Sequence, residues 1–367
     1  MLALVATNIG GGIVGMPFAM YNCGAILGCA IIVIVGFVTY LSVYLLMKTK
    51  DMSPGKYESL YEIGYAVMGR WSIFIICGIL FMTTFGTVTL YFVIFGDTFG
   101  SVLRQLIIEN DFNTVHTEEE YAEIITEQSL LVQILCSREA AIILLALSLL
   151  SVVFKRALQE LTFLSYVFLA SVFGLILLSA IQLISVDSQY QTPMTSDELI
   201  SPKWSMNIVS SINIIIFAFS FQFQIFPAYV ELQKRSTEKF LVSAGWSIAV
   251  CCFAYLCMGM FCVGIFGHNI DSDLLLSFGT LPGGVSIFLR LVFSILLMIH
   301  IPFVFMPTRE FALVIHDEIM RKSLSSHLEK KLEIASKKAE VKKLAKKAGR
   351  KPQEAQEDSD EELLQND

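Results

Sequence analysis

Long apolar runs with almost no charged residues dominate this sequence and restrict its possible folds. A helix needs about 20 apolar residues to cross the hydrocarbon core of a bilayer, where backbone N–H and C=O groups find no water partner. The spans predicted from these runs are at 2–20, 24–47, 71–95, 140–154, 161–184, 208–230, 240–266 and 285–311. We therefore expect an all-α integral membrane protein surrounded by the lipid bilayer.

The composition agrees with a membrane location and argues against two other classes of protein. Only 16% of the 367 residues are charged, against about 25% in soluble domains, and the mean hydropathy is +0.66. A net charge of -7 disfavours a nucleic-acid partner, which would bind to a basic face. The chain contains no HExxH, GxSxG or Walker-type motif and no clustered Cys/His spacing, so we expect neither an enzyme nor a resident metal or cofactor.

The distribution of Lys and Arg among the loops predicts the orientation of the chain, because cytoplasmic loops retain positive charge. Basic residues collect in alternate loops, namely at Lys48, Lys50, Lys56, Arg70, Lys155, Arg156, Lys234, Arg235, Lys239, Arg309, Arg321 and Lys322. The opposite loops carry mainly Asp and Glu. Even-numbered loops and the C-terminus are therefore predicted to face the cytosol.

The sequence after the last span differs sharply from the rest. We place a membrane domain at 1–315 and a charged cytosolic tail at 316–367. The tail begins with Lys- and Glu-rich helix-forming sequence, which we expect to be a solvated appendage. Its end, 360–364, is similar to an acidic dileucine sorting signal, so cytosolic sorting or signalling partners are a second interpretation.

The first span contains a segment that is poorly suited to a continuous helix. Gly10, Gly11 and Gly12 each cost about 1 kcal/mol relative to alanine in a helix, and Pro17 removes a backbone donor. In transporters with broken helices, freed N–H groups bind a substrate carboxylate and freed carbonyls hold a cation or an ammonium group. The alternative is close packing of a neighbouring helix on Gly11 and Gly15.

The sixth span carries a second segment of this kind. Ser220, Gln222 and Gln224 are polar residues in apolar surroundings, and Pro227 follows them. Paired interruptions in spans one and six are what an inverted five-plus-five repeat predicts. The pair therefore favours unwinding over simple close packing.

Four segments together resemble the amino acid/auxin permease superfamily, and its sodium-coupled neutral amino acid transporter branch in particular. They are residues 8–24, 89–97, 217–232 and 302–309. The resemblance implies a LeuT-type inverted-repeat helical bundle that moves small neutral amino acids by alternating access, with 1–315 as its transmembrane domain. Neutral substrates are favoured because spans one, six and eight supply no acidic group within the membrane.

The resemblance also implies where the sites lie. Substrate is expected between spans one and six, at Asn8, Gly10, Gly11, Gly12, Ser220 and Gln222. Spans one and eight are expected to form an ion-coupling site, with Thr7 and His300 as candidates.

Departures from the family pattern leave the coupling ion open between H+ and Na+. The family usually has a histidine where this chain has Gln222, and the residues before Pro302 lack the hydroxyl of sodium-coupled members. Asn8 lies two residues before the first glycine, as in the proton-coupled branch. His300 suits proton coupling because histidine titrates near neutral pH. A neutral His300 hydrogen-bonded to a neighbouring helix is the alternative.

A LeuT-type fold has ten core spans, so the eight predicted here indicate truncation after span eight. This length, with the charged tail, supports a second interpretation as an amino acid sensor or regulatory membrane protein without sustained transport. A channel is a third, although no ring-forming filter motif is present. The host membrane is expected to be the plasma membrane or an endolysosomal or vacuolar membrane.

Overall fold

The computed structural model describes residues 2–53, 57–108, 124–125, 129–153, 162–185, 206–232, 236–281 and 284–347, and these ranges contain helices and no strand. This confirms the expected all-α fold. The longer helices are α1 (Leu2–Asn8), α2 (Gly12–Cys23), α3 (Ala25–Met52), α4 (Leu60–Met68), α5 (Trp71–Ile108), α6 (Leu130–Leu135), α7 (Arg138–Val153), α8 (Thr162–Ser185), α9 (Asn207–Ala218), α10 (Ile225–Val230), α11 (Thr237–Phe266), α12 (Leu274–Gly279), α13 (Gly284–Met320) and α14 (Ser323–Lys347).

Six of the described helical segments are long and apolar enough to cross a membrane. They are Ala25–Met52, Trp71–Ile107, Tyr166–Ser185, Asn207–Val230, Thr237–Asn269 and Gly284–Met320. The other two predicted spans are also helical, but the first is divided between α1 and α2, and α7 has only 16 residues. The protein is therefore a multi-pass helical membrane protein.

Both predicted helix interruptions are present. Span one stops at Asn8 and restarts at Gly12, while span six stops at Ala218 and restarts at Ile225 after a short 3-10 turn at Gln222–Gln224. Pro17 and Pro227 follow the breaks, inside α2 and α10. Unfavourable helix propensity at the glycines explains the first break. Span eight, by contrast, continues through Pro302 and Pro307 as the single helix α13.

Large apolar side chains on the outside of the bundle are suited to contact with lipid. Phe37, Ile79, Leu147 and Phe253 are all more than half exposed. Inside the bundle, α2 packs against α9 and α11, and α1 packs against α8 and α11. The interrupted segments therefore lie in the middle of the bundle, away from its lipid-facing surface.

Different loops lie at the two ends of the bundle. At one end the Arg70 Nε atom lies 2.5 Å from Glu318 Oε1, and the Thr237 hydroxyl donates to Asp51 at 2.9 Å. The loop after span two thus meets both the C-terminal segment and the loop after span six at that end. At the other end Arg138 pairs with Asp97 at 2.9 Å.

The beginning of the C-terminal tail is packed against the bundle. Helix α13 extends past the predicted boundary at 315, and α14 follows it directly. Leu328 in α14 is only 1% exposed and clusters with Ile73, Cys77 and Phe311. The expectation of a wholly solvated appendage is therefore wrong for the start of α14. The sorting signal at 360–364 lies outside the described residues.

Asp273 at the other end of the bundle gives a testable pH dependence of stability. Its side chain caps α12 by accepting from Leu275 N at 2.9 Å, and burial, with Asp97 and Asp271 nearby, raises its pKa from 3.8 to about 6. The folded protein therefore holds a proton that the unfolded chain has released, so stability falls as pH rises through this window. At neutral pH the ionised carboxylate costs up to about 3 kcal/mol.

Asp273→Asn keeps an acceptor for the cap but removes the charge. We expect the melting temperature of the detergent-solubilised protein to rise by a few degrees at neutral pH, with the difference shrinking towards pH 4. Glu238→Gln, an exposed residue in the first turn of α11, is the control and should shift little at either pH. An equal gain at both pH values would contradict the assignment.

Candidate functional site

The two interruptions face each other at backbone contact. A Cβ atom added to Gly12 would lie 2.5 Å from Ala218 Cβ and 2.7 Å from Ala218 Cα, so only glycine fits there. A Cβ on Gly15 would lie 2.8 Å from Ile214 Cγ2. Span one is therefore both interrupted and closely packed, since α2 begins at Gly12 and both Gly12 and Gly15 contact α9.

A single tyrosine from span seven joins both interruptions. The Tyr255 hydroxyl lies 3.1 Å from the Asn8 carbonyl oxygen and 3.0 Å from the Ala218 carbonyl oxygen, and donates to them. These carbonyls belong to the last residues of α1 and α9, where the regular intrahelical hydrogen bonds end, and the Asn8 carbonyl also accepts from the Gly10 N–H at 3.0 Å. Tyr255 therefore fixes the spacing of the two broken helices.

Tyr91 from span three holds the glycine segment from another side. Its hydroxyl accepts from the Gly11 N–H at 2.9 Å, and its ring would lie 2.4 Å from a Cβ at Gly11. Gly11 is thus occupied by a protein partner and does not line the cavity beside it.

A small cavity lies between the interruptions, with a volume of about 30 Å³. It brings together five of the predicted site residues, which are Asn8, Gly10, Gly12, Ser220 and His300. Gln222 lies on the 3-10 turn and is not among the lining residues, and the side chain of Thr7 lies outside the described part of the chain. None of the described residues that line the cavity carries a carboxylate. The remaining lining residues are Thr87, Tyr91, Phe217, Ala218, Phe223 and Val304.

The side-chain amide of Asn8 is a buried polar group without a protein partner among the described residues. Asn8 is 3% exposed, and neither its Nδ2 nor its Oδ1 atom forms a hydrogen bond there. An unpaired buried polar group costs roughly 1–3 kcal/mol, so such groups are usually satisfied in native structures. Since Asn8 lines the cavity, its amide is positioned to bind a polar ligand group.

His300 also lines the cavity, among aromatic rings. It is 3% exposed, and its ring centroid is 4.8 Å from that of Phe168 and 5.5 Å from that of Tyr91. Its Nε2 atom would lie 3.4 Å from a Cβ at Gly10. The imidazole forms no hydrogen bond to the described residues. The neighbouring-helix partner of the alternative interpretation is therefore not found among them.

Sequence reasoning missed Tyr91, Tyr255 and Phe223. A buried tyrosine normally finds a partner for its hydroxyl, so Tyr255 in the middle of an apolar span was a signal in itself. Tyr91 lies in the segment 89–97 that contributes to the family resemblance, but no role was assigned to it. Nothing in the local sequence distinguishes Phe223 from the neighbouring aromatic residues.

Two interrupted helices that face each other across a small polar cavity inside an apolar bundle are typical of secondary transporters. Comparison with known proteins agrees with this class. A family model described as transmembrane amino acid transporter protein matches residues 1–351. The chain belongs to this family, as the four sequence segments predicted, and it is not an enzyme family.

Three relatives illustrate the range of the family. The putative sodium-coupled neutral amino acid transporter 11 of Danio rerio is 26% identical over 76% of this chain and 59% of its own length. Sodium-coupled neutral amino acid symporter 2 of Danio rerio is 25% identical over 82% and 60%. Vacuolar amino acid transporter 5 of Saccharomyces cerevisiae is 24% identical over 84% and 64%. The chain thus spans about 60% of the length of these relatives.

Proposed function

We propose that this protein is a secondary transporter of small neutral amino acids that works by alternating access. The observation that carries the proposal is the Asn8 amide, which has no partner among the described residues and lies in a buried cavity between two broken helices. The cavity residues in the described part of the chain include no carboxylate, which disfavours a cationic side chain on the substrate. The names of the relatives, which include neutral amino acid transporters, support the same substrate class.

The ends of the broken helices suit the two charges of an amino acid. Gly12 begins α2, and the positive end of that helix dipole favours a carboxylate. Asn8 and Ala218 end α1 and α9, and the negative ends of those helices favour an ammonium group. The amide of Asn8 can donate to the carboxylate or accept from the ammonium.

The size of the cavity implies that a substrate enters only when the helices move. A volume of about 30 Å³ holds no more than a water molecule or two. An amino acid must therefore part α2 from α9 or displace a side chain that lines the cavity. We assign the structure to a closed state of the cycle, within a LeuT-type inverted-repeat bundle that the paired breaks support.

The location of the protein is proposed on the same basis. Relatives include a vacuolar transporter as well as sodium-coupled transporters, so a plasma or endolysosomal/vacuolar membrane fits. The basic loop after span two, whose Arg70 pairs with Glu318 of α13 and whose Glu62 pairs with Lys331 of α14, supports a cytosolic C-terminus.

A sensor is the second candidate function. The specific observation in its favour is the packing of α14 on the bundle through Leu328, because a docked terminal helix could report occupancy of the cavity to cytosolic partners. This candidate predicts amino acid binding without concentrative uptake.

The test of the proposed function is uptake of a labelled neutral amino acid mixture into proteoliposomes, with sodium and proton gradients imposed separately. Concentrative uptake under either gradient establishes transport and identifies the ion. Ligand binding without uptake or exchange under both gradients would favour the sensor.

His300→Gln tests proton coupling in the same proteoliposomes. Proton coupling through His300 requires a side chain that can take up and release a proton, which glutamine cannot do, so we expect the variant to lose stimulation by an inward proton gradient while keeping amino acid exchange. His316→Gln, an exposed histidine on the same helix, should keep both properties. An unchanged pH profile in His300→Gln would remove His300 from the coupling mechanism.

A further inference from the structure

A much larger chamber lies between the broken sixth span and the C-terminal helix. Its volume is about 800 Å³, within the range of pockets that hold small ligands. Gln224 and Pro227 line it from span six, Phe303 and Glu310 from α13, and Leu324 and His327 from α14. The chamber thus opens at the end of the bundle that carries the C-terminal segment.

A second small cavity lies between this chamber and the central cavity. Its volume is about 40 Å³, and it shares Pro227, Pro307 and Glu310 with the chamber. It shares Phe223 with the central cavity. The three spaces therefore lie in series, and the Phe223 side chain stands between the central cavity and the two beyond it.

The position of Phe223 is fixed by the turn that carries it. Phe223 is the middle residue of the 3-10 turn at Gln222–Gln224. The next residue, Gln224, donates from Nε2 to the Phe303 carbonyl oxygen at 3.1 Å and so joins the turn to α13. Phe223 is partly buried, which leaves its ring room to turn aside.

Phe223 also connects the central core to the docked C-terminal helix. It packs against the main core of the bundle and against the separate cluster formed by Ile73, Cys77, Phe311 and Leu328. Since Leu328 belongs to α14, the cluster is complete only while α14 is docked.

Polar contacts hold α14 in place on both sides of Leu328. Glu318 is fully buried, pairs with Arg70 and accepts from the Ser325 N–H at 3.1 Å. One turn beyond Leu328, the Lys331 Nζ atom lies 3.1 Å from Glu62 Oε2 on α4. The docked helix is therefore tied to the end of α13 and to the α4 segment before span three.

We propose that Phe223 is the gate between the central cavity and the chamber, and that docking of α14 through Leu328 holds this gate closed. Release of α14 removes one wall of the cluster behind Phe223, so the ring can swing out and open the series of cavities. This assigns a positioning role to α14 and deepens the proposed function, since it concerns the route by which a solute reaches the same central cavity.

The test measures access to the central cavity directly and does not require transport. Ser220→Cys places a thiol on the cavity wall, and a membrane-impermeant thiol reagent is applied to the full-length protein in vesicles, at the face that carries α14. Each variant is compared with its counterpart that keeps Ser220, which subtracts labelling of the eight native cysteines. We expect Phe223→Ala to raise the labelling rate of Ser220→Cys at least tenfold, and Leu328→Ala to raise it severalfold.

Matched controls separate a gate from general loosening. Phe305→Ala removes a partly buried phenylalanine of α13 that lines none of the three spaces, and Ile334→Ala removes an exposed apolar residue of α14. Both should leave the rate unchanged. Phe223→Leu, a milder change, should give an intermediate rate and serves if the alanine variant does not fold.

The outcomes decide each half of the proposal. No acceleration in either Phe223 variant, or equal acceleration in Phe305→Ala, would overturn the gate. Acceleration in Phe223→Ala but not in Leu328→Ala would overturn the role of α14. Failure of uptake in proteoliposomes would instead count against the proposed transport function and leave the labelling result standing.

Discussion

Gly12→Ala is expected to abolish amino acid uptake and to weaken ligand binding by at least tenfold. The added methyl group would collide with the Cα and Cβ atoms of Ala218, and backbone cannot turn aside as a flexible side chain can. Overpacking of this kind costs roughly 1–3 kcal/mol, and every 1.4 kcal/mol corresponds to about a factor of ten in an equilibrium constant. The methyl group would force α2 away from α9 and spoil the geometry of the cavity between them.

Uptake and binding by proteoliposomes check this prediction, with Gly86→Ala as the matched control. A Cβ at Gly86 in α5 meets no atom within 4 Å, and alanine is the better helix former. The control should therefore behave as the unchanged protein or slightly better. Normal uptake by Gly12→Ala would show that the contact between the interruptions has no part in transport.

Tyr255→Phe should produce the second large effect, a loss of binding affinity of about tenfold or more. The change removes one hydroxyl but keeps the ring, so the aromatic contact with Phe219 remains. The Ala218 carbonyl loses the Tyr255 donor, while the Asn8 carbonyl keeps only the Gly10 N–H, and leaving a buried carbonyl unsatisfied costs roughly 1–3 kcal/mol. The spacing of the broken helices would then no longer be fixed.

Binding affinity and melting temperature should both fall in Tyr255→Phe. Tyr166→Phe changes an exposed tyrosine of α8 in the same way and should affect neither quantity. If Tyr255→Phe lowered the melting temperature but left affinity intact, the hydroxyl would serve the fold and not the site.

The helix breaks could be predicted from the sequence because their cause is local. Gly10 to Gly12 disfavour a helix wherever they occur, and the polar residues of span six are conspicuous in an apolar run. The spans could be predicted for the same reason, since length and hydropathy are properties of a continuous segment.

The partners of these segments could not be predicted, because they come from distant parts of the chain. Tyr91 and Tyr255 form hydrogen bonds to the interrupted segments from spans three and seven. Which tyrosines form these bonds depends on how the helices pack in the bundle. The family resemblance implies a site residue at the polar Gln222, yet the 3-10 turn places Phe223 on the cavity wall instead.

The sequence contains a weak indication that α14 packs against the bundle. Leu324, Leu328 and Leu332 recur at helical spacing, which predicts an apolar face on an otherwise Lys- and Glu-rich helix. The charged composition of the tail outweighed this pattern. In the structure Leu328 is buried, while the exposed faces of the helix carry the charges that suggested a solvated appendage.

Helix α13 is less stiff around its two prolines than in the rest of its length. It passes the central cavity at His300, the chamber at Glu310 and the α14 attachment at Glu318. Pro302 and Pro307 lie between the first two of these positions, and each deletes a backbone hydrogen bond and so softens the helix locally. The part of α13 beside the central cavity and the part that contacts α14 are therefore joined by a more flexible segment. A small tilt of the helix beside the cavity can bend this segment without disturbing the packing of α14.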